Sequence, residues 1–279
     1  MNLNPVIDHA VINVDNHLDT AESLFRRMGF QLSDRGHHSM GSSNHLAIFG
    51  ENYLELLGYE PQKATGARGL WQAPLGLAGL VWKTHNAGDT YHYLQTLQLD
   101  GGPPAAFSRP VILPDGQTMD ARFCITRLAE DAIPNGFSFF CQHLTPEAVW
   151  QDAWRQHPNG VLDITEFVIM ASQPAQAAAV YTRLFGDRSQ QCPPTDSYRL
   201  QAGASCLRII TPAAASAEFG AVPAGDYQRP RMVALAFRVA SLNRLEDYLL
   251  SGGVGYQRKE GQIVITPDSA FHVALRFQQ

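Results

Sequence analysis

The sequence is poor in charge and in cysteine. Only 17% of its 279 residues are charged, below the usual quarter, yet 45% are hydrophobic, which excludes a disordered chain. Lys and Arg number 21 against 26 Asp and Glu, a net charge of −5. With no basic excess to neutralise phosphates, nucleic acid is not an expected partner. The four cysteines, Cys124, Cys141, Cys192 and Cys206, form no C-x-x-C and are too few for a disulfide framework, so a reducing cytoplasm is the expected compartment. No apolar run approaches the roughly 18 residues of a membrane span. Met1-Asn2-Leu3-Asn4-Pro5 lacks the basic-then-apolar order of a signal peptide, so no membrane association is expected. The absence of G-x-G-x-x-G, a Walker loop, G-x-S-x-G and H-E-x-x-H removes the common nucleotide, serine-hydrolase and zincin chemistries.

What is present is a repeat. Val6–Val14 is rich in β-branched residues and reads as a strand. Leu18–Met28 follows, with Ala21, Leu24, Phe25 and Met28 at helical spacing and Gly29 as its stop. Strand-like runs come next at Phe30–Ser33, His45–Phe49 and Tyr53–Leu57. The same plan recurs with Leu77–Thr84 and helix Asp89–Leu99, then Val111–Leu113, Arg122–Arg127 and Phe137–Gln142. It recurs again with Ile164–Met170, helix Pro174–Phe185, Tyr198–Gln201 and Cys206–Ile210. The fourth unit has Met232–Val239, helix Ser241–Leu250, Tyr256–Lys259, Gln262–Thr266 and His272–Phe277. Aligned first strands put His9, Gly79, Glu166 and Ala234 in register, spaced 70, 87 and 68 residues apart. The extra length, Leu144–Gly160, carries Thr145-Pro146-Glu147 and an apolar stripe, and predicts a linking helix. Two domains follow, residues 1–150 and 151–279.

A β-α-β-β-β unit makes a small curved sheet with a helix on one face, and two units joined side by side leave a concave face open. Strand alternation sorts the residues. Ala10, Ile12 and Val14 suit the helix side, leaving Ile7, His9, Val11 and Asn13 in the concavity. Leu54 and Leu56 suit the helix side, leaving Tyr53, Glu55 and Leu57 inward. His9 and Glu55 therefore share one wall. A carboxylate there needs compensation: a divalent metal, a His–Glu hydrogen bond or a cationic substrate would each supply it.

The pattern resembles the vicinal-oxygen-chelate superfamily, and within it the glyoxalase-like domain proteins. The residues that carry the resemblance are Ile7-Asp8-His9-Ala10-Val11-Ile12-Asn13-Val14, Arg35-Gly36-His37-His38 with Gly41 and Asn44, Tyr53-Leu54-Glu55-Leu56-Leu57, and Gly76-Leu77-Ala78-Gly79-Leu80. Phe140-Cys141-Gln142-His143 with Thr145-Pro146-Glu147 and His157-Pro158-Asn159-Gly160 complete them. The resemblance implies an α+β fold of four units in two glyoxalase-like domains with concave mixed sheets. It implies a metal-dependent lyase, isomerase or dioxygenase acting on a small oxygen-chelating substrate, or else a metal-free small-molecule binding protein of the bleomycin-resistance type. In metal-using members the ligands come from first and last strands. His9 and Glu55 match that pattern; Gly79 and Phe139 stand where the second unit would supply ligands, and His143, on Phe139's face, is the expected third. The metal implied is Zn, Ni, Mn or Fe, with Glu55 alternatively the general base. In the second half Glu166 matches His9 and Arg208 matches Glu55, so an ion pair is expected in place of a metal, with Ala234 and Ala274 in the fourth unit.

Around these lie weaker signals. Arg35–His45, with three histidines among glycines and serines, is either a solvated loop or a lid in which Arg35, His38 and Asn44 bind an anionic or carbonyl-bearing substrate. His143 precedes a helical start and would equally serve as a cap. Cys141 reads as a small hydrophobe rather than a nucleophile, Lys83 as a strand-end cation that snorkels outward, and Trp71, Trp82, Trp150 and Trp154 as packing. The expected partner is a small-molecule ligand, with room left for a homodimer.

Overall fold

The computed structural model describes residues 3–59, 73–186, 189–192, 197–220, 222, 229–259 and 261–279; Trp71 lies outside them. The first half runs β1 (Ile7–Asp15), α1 (Leu18–Arg27), β2 (Gly36–His37), β3 (Ser42–Ile48), β4 (Tyr53–Tyr59), β5 (Gly76–Lys83), α2 (Ala87–Thr96), β6 (Ala105–Ile112), β7 (Thr118–Arg127) and β8 (Phe137–His143). The second runs β9 (Val161–Met170), α3 (Pro174–Phe185), β10 (Ser189–Cys192), β11 (Ser197–Ala202), β12 (Ser205–Ile210), α4 (Pro212–Phe219), β13 (Arg231–Val239), α5 (Leu242–Ser251), β14 (Gln257–Lys259), β15 (Gln262–Ile265) and β16 (Ala274–Gln278). These make two eight-stranded mixed sheets, in the orders β2-β3-β4-β1-β5-β8-β7-β6 and β10-β11-β12-β9-β13-β16-β15-β14. In each, two β-α-β-β-β units meet antiparallel at their first strands, β1 on β5 and β9 on β13.

The local signals account for the elements. Leu18, Ala21 and Phe25 bury one face of α1, and Gly29 takes φ +82° just beyond it. The Ser241 side chain accepts the Arg244 N–H and caps α5. Helix-side residues of both sheets, Ile12, Leu54, Trp82, Phe167, Phe237 and Phe277 among them, join one apolar core that runs through both halves.

Parallel pairing fixes the repeat. His9 pairs with Tyr53, Gly79 with Phe137, Glu166 with Cys206 and Ala234 with Ala274. Two residues further on, Glu55, Phe139, Arg208 and Arg276 are therefore equivalent. This corrects the expected partner of Ala234 at the Glu55 position: it is Arg276, not Ala274.

Other expectations are corrected too. Phe30–Ser33 forms no strand, and β6 begins six residues before the expected Val111, because an edge strand tolerates Pro110. The linking helix is two short 3₁₀ turns, Pro146–Ala148 and Asp152–Arg155. Ile7 sits in the helix-side core, since β1 bulges between Ile7 and His9 and reverses the alternation there. The unanticipated α4, started by Thr211 capping the Ala214 N–H, plugs the second concavity: Ala215 and Phe219 pack against Val168, Ile210, Val233 and Ala274.

The expected Glu166–Arg208 pair forms at 3.1 Å. It belongs to a larger network. Arg276 also binds Glu166, and Glu218 of α4 accepts from Arg208 at 2.8 Å and from Arg276 at 3.1 Å. The second cup is thus filled by its own helix and neutralised by its own charges.

Candidate functional site

The first cup stays open. Its sheet curls until its two edges touch: the Ser39 N–H donates to the Ser108 carbonyl at 3.0 Å, and the Ser108 N–H to Ser39 Oγ at 3.3 Å. The segment expected as a loop or lid is instead this closing edge, with β2 paired to β3. The cavity it forms is about 390 Å³, in the range of small-ligand sites. Tyr53, Phe107, Phe123, Phe137 and Phe139 supply aromatic walls, and the polar lining includes His9, His38, Asn44, Glu55, Arg109, Arg127 and Glu130.

On the floor, His9 and Glu55 converge as their register requires. His9 Nε2 lies 3.5 Å from Glu55 Oε2, and both residues are buried. The bulge in β1 brings Asp8 to the same side, where its Oδ2 lies 2.7 Å from His9 Nδ1 and 3.0 Å from His143 Nε2. Burial raises the Asp8 carboxyl, but the His143 and His9 rings outweigh that and hold it well below the usual carboxylate range. Asp8 is therefore an ionised acceptor, and His9 Nδ1 must carry the proton that bonds to it. The His9 ring is clamped further by stacking on Tyr53 with centroids 4.2 Å apart.

Asn44 donates to Glu55 Oε1 at 2.6 Å, and its Nδ2 lies 3.2 Å from His38 Nε2. The His38 ring nitrogen Nδ1 bonds Ser42 Oγ at 2.7 Å. Burial pushes His38 down to about 4, against the opposing pull of Glu55, so its ring is neutral at neutral pH.

This floor is rich in acceptors. With His9 Nδ1 bonded to Asp8, its Nε2 faces the Glu55 carboxylate. Asp8 Oδ1, His143 Nδ1 and Asn44 Oδ1 are buried without a hydrogen-bond donor. Such a donor set fits a bound cation, and a carboxylate behind a ligating imidazole is the usual support for one. Among the described residues, one group of three ligand-type side chains, Asp8, Cys141 and His143, has atoms within 4.8 Å of one another. Burial pushes the Cys141 thiol well up, which keeps it protonated and inert as a nucleophile.

The residues singled out from sequence are thus divided. His9 and Glu55 meet; His38 and Asn44 line the same cavity; His143 joins Asp8 on the far side of the His9 ring. Arg35 does not reach the cavity, because its guanidinium binds Asp19 on α1. Lys83 reaches out to the Glu51 carbonyl and over the Trp150 ring. Phe137 lies over bare Gly79. Two residues escaped sequence reasoning. Asp8 would face the helix by simple alternation, and only its place beside a strand histidine hinted otherwise. Arg109 sits on the strand whose start was missed.

Two β-α-β-β-β units curled around a polar floor, followed by two more, define the vicinal-oxygen-chelate class of fold. Sequence comparison agrees: the profile of the "Glyoxalase-like domain" family matches residues 7–185, and the chain belongs to that family. No curated protein sequence matches it. Among solved structures, a hypothetical protein from Staphylococcus aureus is similar at 15% identity, covering 98% of both chains with a TM-score of 0.68. A mutant 4-hydroxymandelate synthase from Streptomyces coelicolor shares 13% identity over 100% of this chain and 94% of its own, with a TM-score of 0.61. A xylose isomerase-like TIM barrel/4-hydroxyphenylpyruvate dioxygenase fusion protein shares 13% identity over 100% of this chain and 50% of its own, with a TM-score of 0.57. These likenesses establish the fold alone. No helix among the described residues is long and apolar enough to cross a membrane.

Proposed function

We propose that the first half, residues 1–150, is a small-molecule enzyme in which His9 and Glu55 hold a divalent cation at the floor of the cup. The observation that carries this reading is the acceptor pair itself: His9 Nε2 and Glu55 Oε2 lie 3.5 Å apart, both facing the cavity, with Asp8 fixing the other His9 nitrogen. The Asp8, Cys141 and His143 group competes for that role. Of that group only Cys141 lines the cavity, whereas His9 and Glu55 both do.

A cation on His9 and Glu55 would act as a Lewis acid toward negative charge on adjacent oxygens of a substrate. The protein's own groups have distinct parts. Asp8 orients the His9 ring, and Asn44 holds Glu55 by its Oε1. His38 Nε2, 4.0 Å from Glu55 Oε1, is a neutral imidazole placed to exchange a proton with that carboxylate. The aromatic walls exclude water from the reacting atoms. The chemistry belongs to a lyase, isomerase or dioxygenase class.

The second reading is a metal-free binding protein with a protonated His9 between Asp8 and Glu55. It is favoured by Gly79 and Phe139, which leave the second unit without ligands. Calorimetric titration of chelator-treated protein with Mn²⁺, Ni²⁺, Fe²⁺ and Zn²⁺ tests the choice. One equivalent should bind to the wild type and to His143→Ala, but not to His9→Ala. Binding that survives His9→Ala and fails in His143→Ala places the cation with Asp8 and Cys141, and no binding at all leaves the metal-free protein.

A further inference from the structure

Arg109 is the most deeply buried arginine among the described residues. It is 2% exposed, on edge strand β6, and lines the cavity. Its guanidinium makes no hydrogen bond, ion pair or cation–π contact among the described residues. A buried guanidinium with five unused donors carries a desolvation cost that proteins rarely leave uncompensated. Arg276, the other buried arginine among the described residues, shows the usual solution: it is met by Glu166 and Glu218. No carboxylate meets Arg109. Burial lowers its pKa, and only the through-space influence of Tyr53 and Glu55 opposes that.

The surroundings keep the guanidinium where it is. Edge closure carries β6 against β2, and Gly36 leaves the room: a Cβ there would lie 2.9 Å from Arg109 Cδ, 3.0 Å from its Nη1 and 2.5 Å from Asn44 Oδ1. The guanidinium therefore stands beside Asn44, whose Nδ2 holds Glu55 Oε1 at 2.6 Å, so the fork of donors and the His9 and Glu55 acceptors line the same cavity as near neighbours.

We infer that Arg109 is the anchor for a ligand carboxylate, and that the cup selects small carboxylic acids with a flat apolar body. The fork geometry of guanidinium matches a carboxylate bidentately. Phe107, Phe123, Phe137 and Phe139 suit an aryl or similarly flat body. The inference rests on the reading of the first cup as a small-molecule site, but not on the cation: Arg109 would hold the acid whether or not a metal is bound at His9 and Glu55. The ordinary alternative is a structural arginine awaiting no ligand, and that role makes the opposite prediction for stability.

The test compares phenylacetate with its uncharged isostere phenylacetamide, by calorimetry on the full chain. Wild-type protein should bind the acid at least tenfold more tightly than the amide. Arg109→Met should bring the acid down to the level of the amide, and Arg109→Lys should recover part of the preference. In ligand-free protein Arg109→Met should melt no lower than wild type, because it removes an unpaired buried charge. Equal binding of acid and amide by the wild type would overturn the inference while leaving the small-molecule reading standing. Binding of neither would overturn both. Inorganic phosphate displacing the acid at equal concentration would overturn the carboxylate assignment in favour of a phosphate-bearing ligand. A lower melting temperature in Arg109→Met with the acid preference intact would make the residue structural.

Discussion

Replacing Glu55 by glutamine separates the two readings of the first cup by the sign of a stability change. The substitution keeps shape. Asn44 Nδ2, now 2.6 Å from Glu55 Oε1, would still find a carbonyl oxygen, and an amide would replace the carboxylate oxygen that faces His9 Nε2 at 3.5 Å. If His9 is neutral and the pair awaits a cation, that amide donates where two acceptors stood. The gain is one net hydrogen bond, about 0.5–1.5 kcal/mol, which raises Tm by about 2–4 °C per kcal/mol in a chain of this size. Divalent-cation affinity should fall by more than about 100-fold, because a directly bound ligand is lost. If His9 is instead protonated, the pair attracts by about 5 kcal/mol at an effective dielectric near 20, and breaking it in a buried site destabilises by about 3–5 kcal/mol. Scanning calorimetry of chelator-treated protein, repeated with added Mn²⁺ and Zn²⁺, reads both quantities. A metal-free Glu55→Gln protein that melts well below wild type, with cation affinity unchanged, would refute the argument for a cation slot. A functional site that gains stability when disarmed is the expected trade-off of a preorganised pocket.

The remaining predictions concern the frame. Glu166→Ala leaves Arg208 and Arg276 sharing Glu218 alone, and should cost about 2–4 kcal/mol in denaturant unfolding while leaving ligand binding in the first cup untouched; altered binding would mean the second cup takes part. Phe219→Ala should cost about 3–5 kcal/mol through the cavity left under α4, and a near-neutral result would show that the plug is not packed. Acidification should destabilise the protein through His157, whose Nδ1 accepts the Gln31 N–H at 3.0 Å while Nε2–H donates to the Ile48 carbonyl at 2.8 Å. Burial lowers its pKa, against the pull of Ile48, from an unfolded value near 6.5. The folded state therefore holds the neutral ring, and its contribution is complete above pH 6.5 and lost as pH falls through the lower folded value. Urea midpoints at pH 7.5 and 5.5 should differ more for wild type than for His157→Gln; equal differences would remove His157 from the acid response.

Much of the architecture was legible in the chain because it depends on short-range signals repeated four times. Apolar alternation, helical stripes and glycine stops place β1, α1, α3 and α5 within a residue or two. The repeat spacing, not any single motif, carries the pairing of units. Alternation also suffices to aim His9 and Glu55 at each other, since parallel β1 and β4 keep a constant register. It fails where the backbone departs from period two. The bulge after Ile7 turns Asp8 inward, and no property of an aspartate in a strand announces that. For the Ala234 partner alternation holds but does not suffice, because Ala274 and Arg276 face the same way and only the pairing register separates them.

The sequence by itself determined a pair of curved sheets and a histidine facing a glutamate, because both follow from periodicity and local stops. Tertiary structure alone decided which concavity stays open. Curling of the first sheet brings β6 against β2 and sets Arg109 into the cavity, more than fifty residues along the chain from Glu55. In the second half α4 folds into the equivalent space and Glu218 completes the charge network. Edge closure and helix docking depend on contacts between segments with no fixed spacing in sequence, and for that reason the difference between an open cup and a plugged one appears only when the chain is folded.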